Sequence, residues 1–237
     1  RLKNRYSNIL AKDATRVLLS TGEYINANFV KLGKRPKAIA CQGPKQNMVG
    51  TFWRMIYESR AGCICMLTDL YEKGAEKCFK YWPDVGSGVV HDSFYVHHES
   101  EIEIVPGLSA SLLNIMPLRI TKLIPDDTVT YPINSSSAWS IKPITIKFYR
   151  LTSWADTSVP SDIHMNIMVG LLTLEKGRIV MHCSAGVGRT GTLAAILKCK
   201  WENIDPHTSV TQLRQDRYGM VYNEEQYEYI KEYLGKK

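Results

Sequence analysis

The 237-residue sequence predicts an α+β fold. Short β-type runs fill the first 150 residues, helical spacing dominates beyond residue 160, and nowhere does the chain repeat a strand–helix–strand unit. With 44% hydrophobic and 22% charged residues and no internal repeat, the chain reads as one large domain over 1–237 with a sizeable core.

In chain order, the polar opening 1–14 leads to strand-like runs at Arg16–Leu19 and Tyr24–Val30, parted by the turn signal Ser20-Thr21-Gly22. Ala38–Cys41 reads as a short strand; Gln42-Gly43-Pro44 breaks it and opens a helix through Phe52–Tyr57, whose aromatics recur at helical spacing and belong in the core. Gly62–Leu67 is a buried-strand run, followed by the polar loop 71–77 and Tyr81-Trp82-Pro83. Further β-type segments are Phe94–His98, Glu101–Val105 and Leu112–Leu123. Strand alternation points His97 and His98 apart, so they read as surface histidines rather than a metal pair. Pro125–Pro143 reads as a polar hairpin connection, and Ile144–Tyr149 as a strand that delivers the loop 153–160. A helix with Ser161 as N-cap then runs to Glu175, and helices follow at about 189–202, 207–216 and 223–235.

Net charge is +7 with a pI near 9.0, but the basic residues are scattered apart from Lys31–Lys37, which reads as solvated surface. Nucleic-acid binding is not supported. The six cysteines form no C-x-x-C pair and lie mostly in apolar segments, as reduced thiols of a cytosolic protein do; a zinc site is not indicated. No apolar run approaches the roughly 18 residues of a membrane helix, and no signal peptide opens the chain.

The chain is organised around His182-Cys183-Ser184-Ala185-Gly186-Val187-Gly188-Arg189-Thr190, between the buried-strand run Arg178–Met181 and the helical run after Thr192. Small residues and two glycines let the backbone curl so that its N–H groups converge on one centre at a helix N-terminus, which makes a cradle for an anion. The same field favours a thiolate at Cys183, and the Arg189 fork suits two phosphate oxygens. A nucleophile beneath a bound phosphate is the layout for phosphoryl transfer to sulfur. Gly186–Gly191 also fits G-x-G-x-x-G, but the acidic residue a dinucleotide site wants about 20 residues on would be Asp205, which sits in a turn signal. The phosphate-binding P-loop pattern fails because no Lys precedes Thr190. Release of a phenolate needs an acid on a closable loop, the place of Asp156, and Thr190 is placed to hydrogen-bond the departing thiolate.

His182-Cys183, five residues and then Arg189 resemble the signature of the tyrosine-specific protein tyrosine phosphatases. Asn4-Arg5-Tyr6 is similar to that family's phosphotyrosine-recognition loop, where the Tyr ring packs on the substrate phenyl and sets pocket depth. Tyr24–Asn28, Gln42-Gly43-Pro44 with Phe52–Met55, Lys77–Pro83, and Arg214, Arg217, Gly219 with Glu224–Tyr227 resemble further family blocks in order. The resemblance implies a twisted mixed sheet flanked by helices. It makes Cys183 the nucleophile, Arg189 the phosphate clamp oriented by Glu72, and Asp156 first the acid and then the base, with Lys77 nearby. Tyr6, Asn8, the loop residues Ser184, Ala185, Gly186, Val187 and Gly188, and Gln226 would face substrate, supported by His182 and Trp154. The implied partners are phosphotyrosine-containing proteins, in the cytoplasm or at the inner side of a receptor, with no metal or cofactor.

Three functional loops depart from the pattern. The Trp-Pro-Asp acid loop is here Trp154-Ala155-Asp156, followed by Thr157-Ser158 where the second position is usually Gly, so Ser158 is disfavoured if its site needs positive φ. Tyr222 stands where the family places a water-positioning Gln. Asn8 replaces an acidic residue that holds the substrate backbone. The expectation is an enzyme that forms the phospho-cysteine and hydrolyses it slowly; the alternative is a pseudophosphatase that binds phosphotyrosine proteins without turnover.

Overall fold

The computed structural model describes residues 2–34, 38–118 and 142–236. Its centre is a mixed sheet. The strands are β1 (Ala27–Val30), β2 (Ala38–Cys41), β3 (Ala61–Met66), β6 (Gly88–His91), β7 (Phe94–Val105), β8 (Leu108–Pro117), β9 (Ile144–Leu151) and β10 (Arg178–His182), while β4 (Tyr71–Glu72) and β5 (Ala75–Glu76) form a separate small ribbon. Spatial order across the large sheet is β1-β2-β10-β3-β9-β8-β7-β6. The central strands β2, β10, β3 and β9 run parallel, which requires both faces to be covered and explains their near-continuous apolar sequences.

The two faces pack different helices. Ile39, Cys41, Ile64, Met66, Phe148 and Val180 meet α1 (Val49–Glu58) through Phe52, Trp53 and Ile56. Ala40, Cys63, Cys65 and Met181 face the opposite layer, built from α2 (Asp162–Leu174), α3 (Gly188–Glu202), α4 (Pro206–Asp216) and α5 (Glu224–Gly235). Side chains accept from the first-turn amides of three of these helices: Ser161 on α2, Asp205 on α4 and Asn223 on α5. Among the described residues, no helix is long and apolar enough to cross a membrane.

Three expectations change, and a fourth falls largely outside the described residues. Arg16–Leu19 makes one bridge, Arg16 to Asn28, rather than a strand. α1 starts at Val49, because Gln42–Pro44 stays extended beneath the central loop: Gly43 N donates to Ser184 O at 2.9 Å, and a Cβ on Gly43 would come within 2.7 Å of Cys183 O. His97 and His98 do lie on opposite sides of β7, but His98 shares the core-facing side with Phe94 and Val96 and is 1% exposed, donating through Nδ1 to Pro83 O, so it is not a surface histidine. The hairpin connection 125–143 and the end of the predicted 112–123 strand lie largely outside the described residues.

Candidate active site

β10 ends at His182, in the middle of the parallel strands, and α3 begins six residues later; Cys183 starts the turn between them at the carboxyl end of the sheet. That turn is fixed by close approach. Gly186 has φ +73°, and a Cβ there would lie 2.0 Å from Cys41 O, so no larger residue fits. Beneath it, fully buried Arg217 donates from Nε to Gly186 O at 2.9 Å and from Nη2 to Ala185 O at 3.0 Å, and reaches Asn28 and Asn26 Oδ1 at 2.8 and 2.9 Å. Turning those carbonyls down onto Arg217 leaves the turn's amides free to point elsewhere, and Gly186 N–H faces Cys183 Sγ at 3.3 Å. Arg217 was not among the predicted site residues; its place in the last family block was the available signal.

Burial alone would raise the Cys183 thiol. The Arg189 charge, Thr190 and the Gly186 amide outweigh it and bring the thiol below its ordinary value of 9.0. The Thr190 hydroxyl lies close enough to favour the thiolate without completing a well-formed hydrogen bond, and it has no other partner among the described residues. The neighbouring Cys41, buried and with less opposing charge, is pushed up to about 12. Burial also lowers His182 to about 4, so the ring is neutral. Its Nδ1 faces Cys183 O at 3.1 Å and must donate, which leaves Nε2 to accept from Tyr81 Oη at 2.8 Å.

Arg189, 1% exposed, connects three segments. Nη1 donates to Glu72 Oε1 at 2.5 Å and to Trp154 O at 2.7 Å, and Nη2 to Asp156 Oδ1 at 3.3 Å. Its Nε is buried with no partner among the described residues, the state of a donor kept for a ligand. Lys77 Nζ donates to Asp156 Oδ2 at 2.8 Å, and Asp156 N to Glu72 Oε2 at 2.9 Å. The loop carrying Asp156 is therefore folded in over the turn. A cavity of about 210 Å³ opens between them, with Cys183 in its wall.

Residues 1–235 match the sequence model of the family described as protein-tyrosine phosphatase. The chain belongs to the protein-tyrosine phosphatase family. It is 33% identical over 245 residues to the tyrosine-protein phosphatase Lar-like of Caenorhabditis elegans, covering 96% of this chain and 10% of that protein. It is 34% identical over 246 residues to the receptor-type tyrosine-protein phosphatase eta of Gallus gallus, covering 96% of this chain and 16% of that one. The chain thus spans a minor part of the curated relatives it matches. Among solved structures, PTPN18 in a study of its recognition of HER2 tyrosine phosphorylation sites superposes with a TM-score of 0.83 at 26% identity, covering 99% of this chain and 83% of that chain. A PTPN18 complex with HER2 phosphopeptides gives the same TM-score and identity.

Of the residues expected to face substrate, Tyr6, Asn8, Ser184, Ala185, Val187, Gly188 and Gln226 line this cleft, together with Lys77, Asp156 and Tyr222. Tyr6 Oη is 2.8 Å from Ser184 Oγ, which fixes its ring at the rim. Gly186 is the exception: it turns down onto Cys41 and does not line the cavity. Glu72, His182 and Trp154 stand behind the lining and hold Arg189, the Cys183 carbonyl and the loop. Ile9 and Thr157 also line it and were not foreseen. The loop strain falls on Thr157, with φ +61°, and not on Ser158. Ser158 Oγ instead donates to Ala155 O at 2.8 Å, and its carbonyl accepts from Trp154 Nε1 at 2.8 Å. Tyr222 is 62% exposed at the mouth.

Proposed function

We propose that this chain hydrolyses phosphotyrosine in proteins by passing the phosphoryl group through Cys183. The observation that carries the reading is the Arg189 fork, which gathers Glu72, Trp154 O and Asp156 around the one thiol that opens on the cleft. In the first step, Cys183 Sγ attacks phosphorus while the P–O(aryl) bond breaks and Asp156 gives its proton to the leaving phenolate. Arg189 and the turn's amides take the charge on the transferring oxygens, with no reorganisation needed during reaction. In the second step, water attacks phosphorus, Asp156 takes a water proton, the S–P bond breaks with Thr190 receiving the thiolate, and inorganic phosphate leaves. Tyr6 walls the aryl ring.

The second step is slowed. Tyr222 offers no carboxamide to aim water, and that of Gln226 is engaged at both ends, accepting from Tyr222 N at 3.1 Å and donating to Ser158 O at 3.4 Å. Substrates are phosphotyrosine proteins, met in the cytoplasm by a free enzyme or by the inner part of a receptor. The related PTPN18 complex with phosphopeptides supports that class.

Rapid-mix hydrolysis of an aryl phosphate, with Cys183→Ser as control, tests this. A burst of phenol followed by slower turnover, both abolished in the mutant, is the expected result. Full turnover without a burst removes the slow second step, and tight phosphotyrosine binding with no turnover makes the chain a binding domain instead.

A further inference from the structure

Asn223 ties two elements together with one carboxamide. Its Oδ1 accepts from Gln226 N at 2.9 Å and caps α5, while its Nδ2 donates to Thr157 O at 2.7 Å. Since each partner has only one hydrogen-bonding sense, the orientation of the amide is fixed. Next to it, Gln226 Nε2 donates to Ser158 O at 3.4 Å. Two side chains at the start of α5 therefore grip consecutive carbonyls immediately after Asp156.

The other ties on this loop differ in kind. Trp154 Nε1 to Ser158 O and Ser158 Oγ to Ala155 O lie within the loop and travel with it. The ties of Asp156 to Arg189 and Lys77, of Trp154 O to Arg189 and of Asp156 N to Glu72 all run through the charged cluster around Arg189, which a bound phosphoryl group would draw on for itself. The Asn223 bond connects the loop to a helix and uses no group that faces the phosphate. It also restrains Thr157, whose left-handed backbone is costly for a β-branched residue and would otherwise favour release.

We propose that Asn223 is a positioning residue, a latch that holds the Asp156 loop over the cleft before substrate arrives. This rests on the reading of Asp156 as the acid. The bond adds to the population of the folded-in loop, so each arriving substrate meets a preplaced acid and less of its binding energy goes to closing the site.

The test compares the full chain with Asn223→Asp and Asn223→Ser. Both keep an oxygen to cap α5, but neither can donate to Thr157 O: Asp lacks the donor and Ser lacks the reach. Hydrogen exchange of the 153–160 segment, measured without phosphate, is expected to speed up about two- to tenfold, the factor that one net hydrogen bond is worth. With a series of aryl phosphates, kcat falls by a similar factor for phenols of high pKa and by less than about twofold for activated ones, because only the former need the acid. Unchanged exchange and an unchanged leaving-group slope in both variants would overturn the latch, as would faster exchange spread over the whole chain. If the parent chain does not turn over phosphate esters, the proposed function fails, while the exchange measurement still decides the latch.

Discussion

Asp156 lies against Arg189, its Oδ1 3.3 Å from Nη2, while its other oxygen takes Lys77 Nζ at 2.8 Å. Burial pushes this carboxyl up, but the Lys77 hydrogen bond and the Arg189 charge outweigh burial and hold it below the ordinary carboxylate value. The group proposed as the proton donor thus favours its ionised form when only Lys77 and Arg189 face it. Phosphate oxygens arriving on Arg189 cancel part of its pull, so the substrate itself favours the protonated acid.

Lys77→Met removes the first of those lowering influences, so the Asp156 pKa rises. Since the first step needs the protonated carboxyl, activity is lost as pH climbs past that pKa, and the alkaline limb of kcat/KM moves to higher pH in the variant. A pH–rate profile of both proteins checks the direction. Asp156→Asn is expected to lower kcat on a phenol ester about 10²- to 10⁴-fold, with a small loss on an activated ester.

Cys183 is the cysteine whose pKa is lowered, favouring its thiolate, whereas Cys41, Cys63, Cys65, Cys78 and Cys199 are all pushed up, chiefly by burial. Iodoacetate at neutral pH should therefore modify the native chain once, at Cys183, as read by peptide mass mapping. The midpoint of the alkylation rate falls below the ordinary 9.0. Arg189→Met removes the strongest influence opposing burial, so its midpoint lies higher than that of the parent. An unmoved midpoint would assign the low value to something other than Arg189.

His182 carries the opposite sign from a paired histidine. Its ring is held neutral down to about 4 by burial, while in the unfolded chain it takes a proton near 6.5. The unfolded state binds more protons between those values, so its contribution to stability is complete above pH 6.5 and is lost as pH falls toward 4. The loss is on the order of 3 kcal/mol at full extent. Denaturant melts of the parent and His182→Asn at pH 7 and pH 4.5 should show the smaller pH-dependent loss in the variant, whose carboxamide keeps a donor toward Cys183 O.

Much of this site was legible because its parts are local in sequence. A buried-strand run, two glycines, Cys183 and Arg189 at a helix start can build only a tight turn aimed at an anion, and that is what lies between β10 and α3. What was not legible is long-range. Arg217 serves the turn from beyond α4, and Asn223 reaches Thr157 across 66 positions. Periodicity and composition single out neither; for Arg217 the signal lay in its resemblance to the last family block. His98 was misread for a related reason: alternation puts the two adjacent histidines on opposite faces, but only the packing of β7 on the sheet tells which face is the core. Gln42–Pro44 was read as a helix start because its strut-like contact to Ser184 lies far along the chain.

The acid loop gives the sharpest case. Comparison with the usual pattern disfavours Ser158 only if its site needs positive φ; the backbone instead puts the left-handed residue one position earlier, with Thr157 at φ +61°. A left-handed non-glycine residue costs about 1–3 kcal/mol, part of which glycine returns as extra freedom in the unfolded chain. Thr157→Gly is therefore expected to stabilise the chain by about 1 kcal/mol in denaturant melts. Ser158→Gly, at a position without that strain, loses the hydroxyl bond to Ala155 O and is expected to cost up to about 1 kcal/mol. A gain at Ser158 with a loss at Thr157 would mean that the loop adopts the usual pattern in solution, with its left-handed residue at position 158.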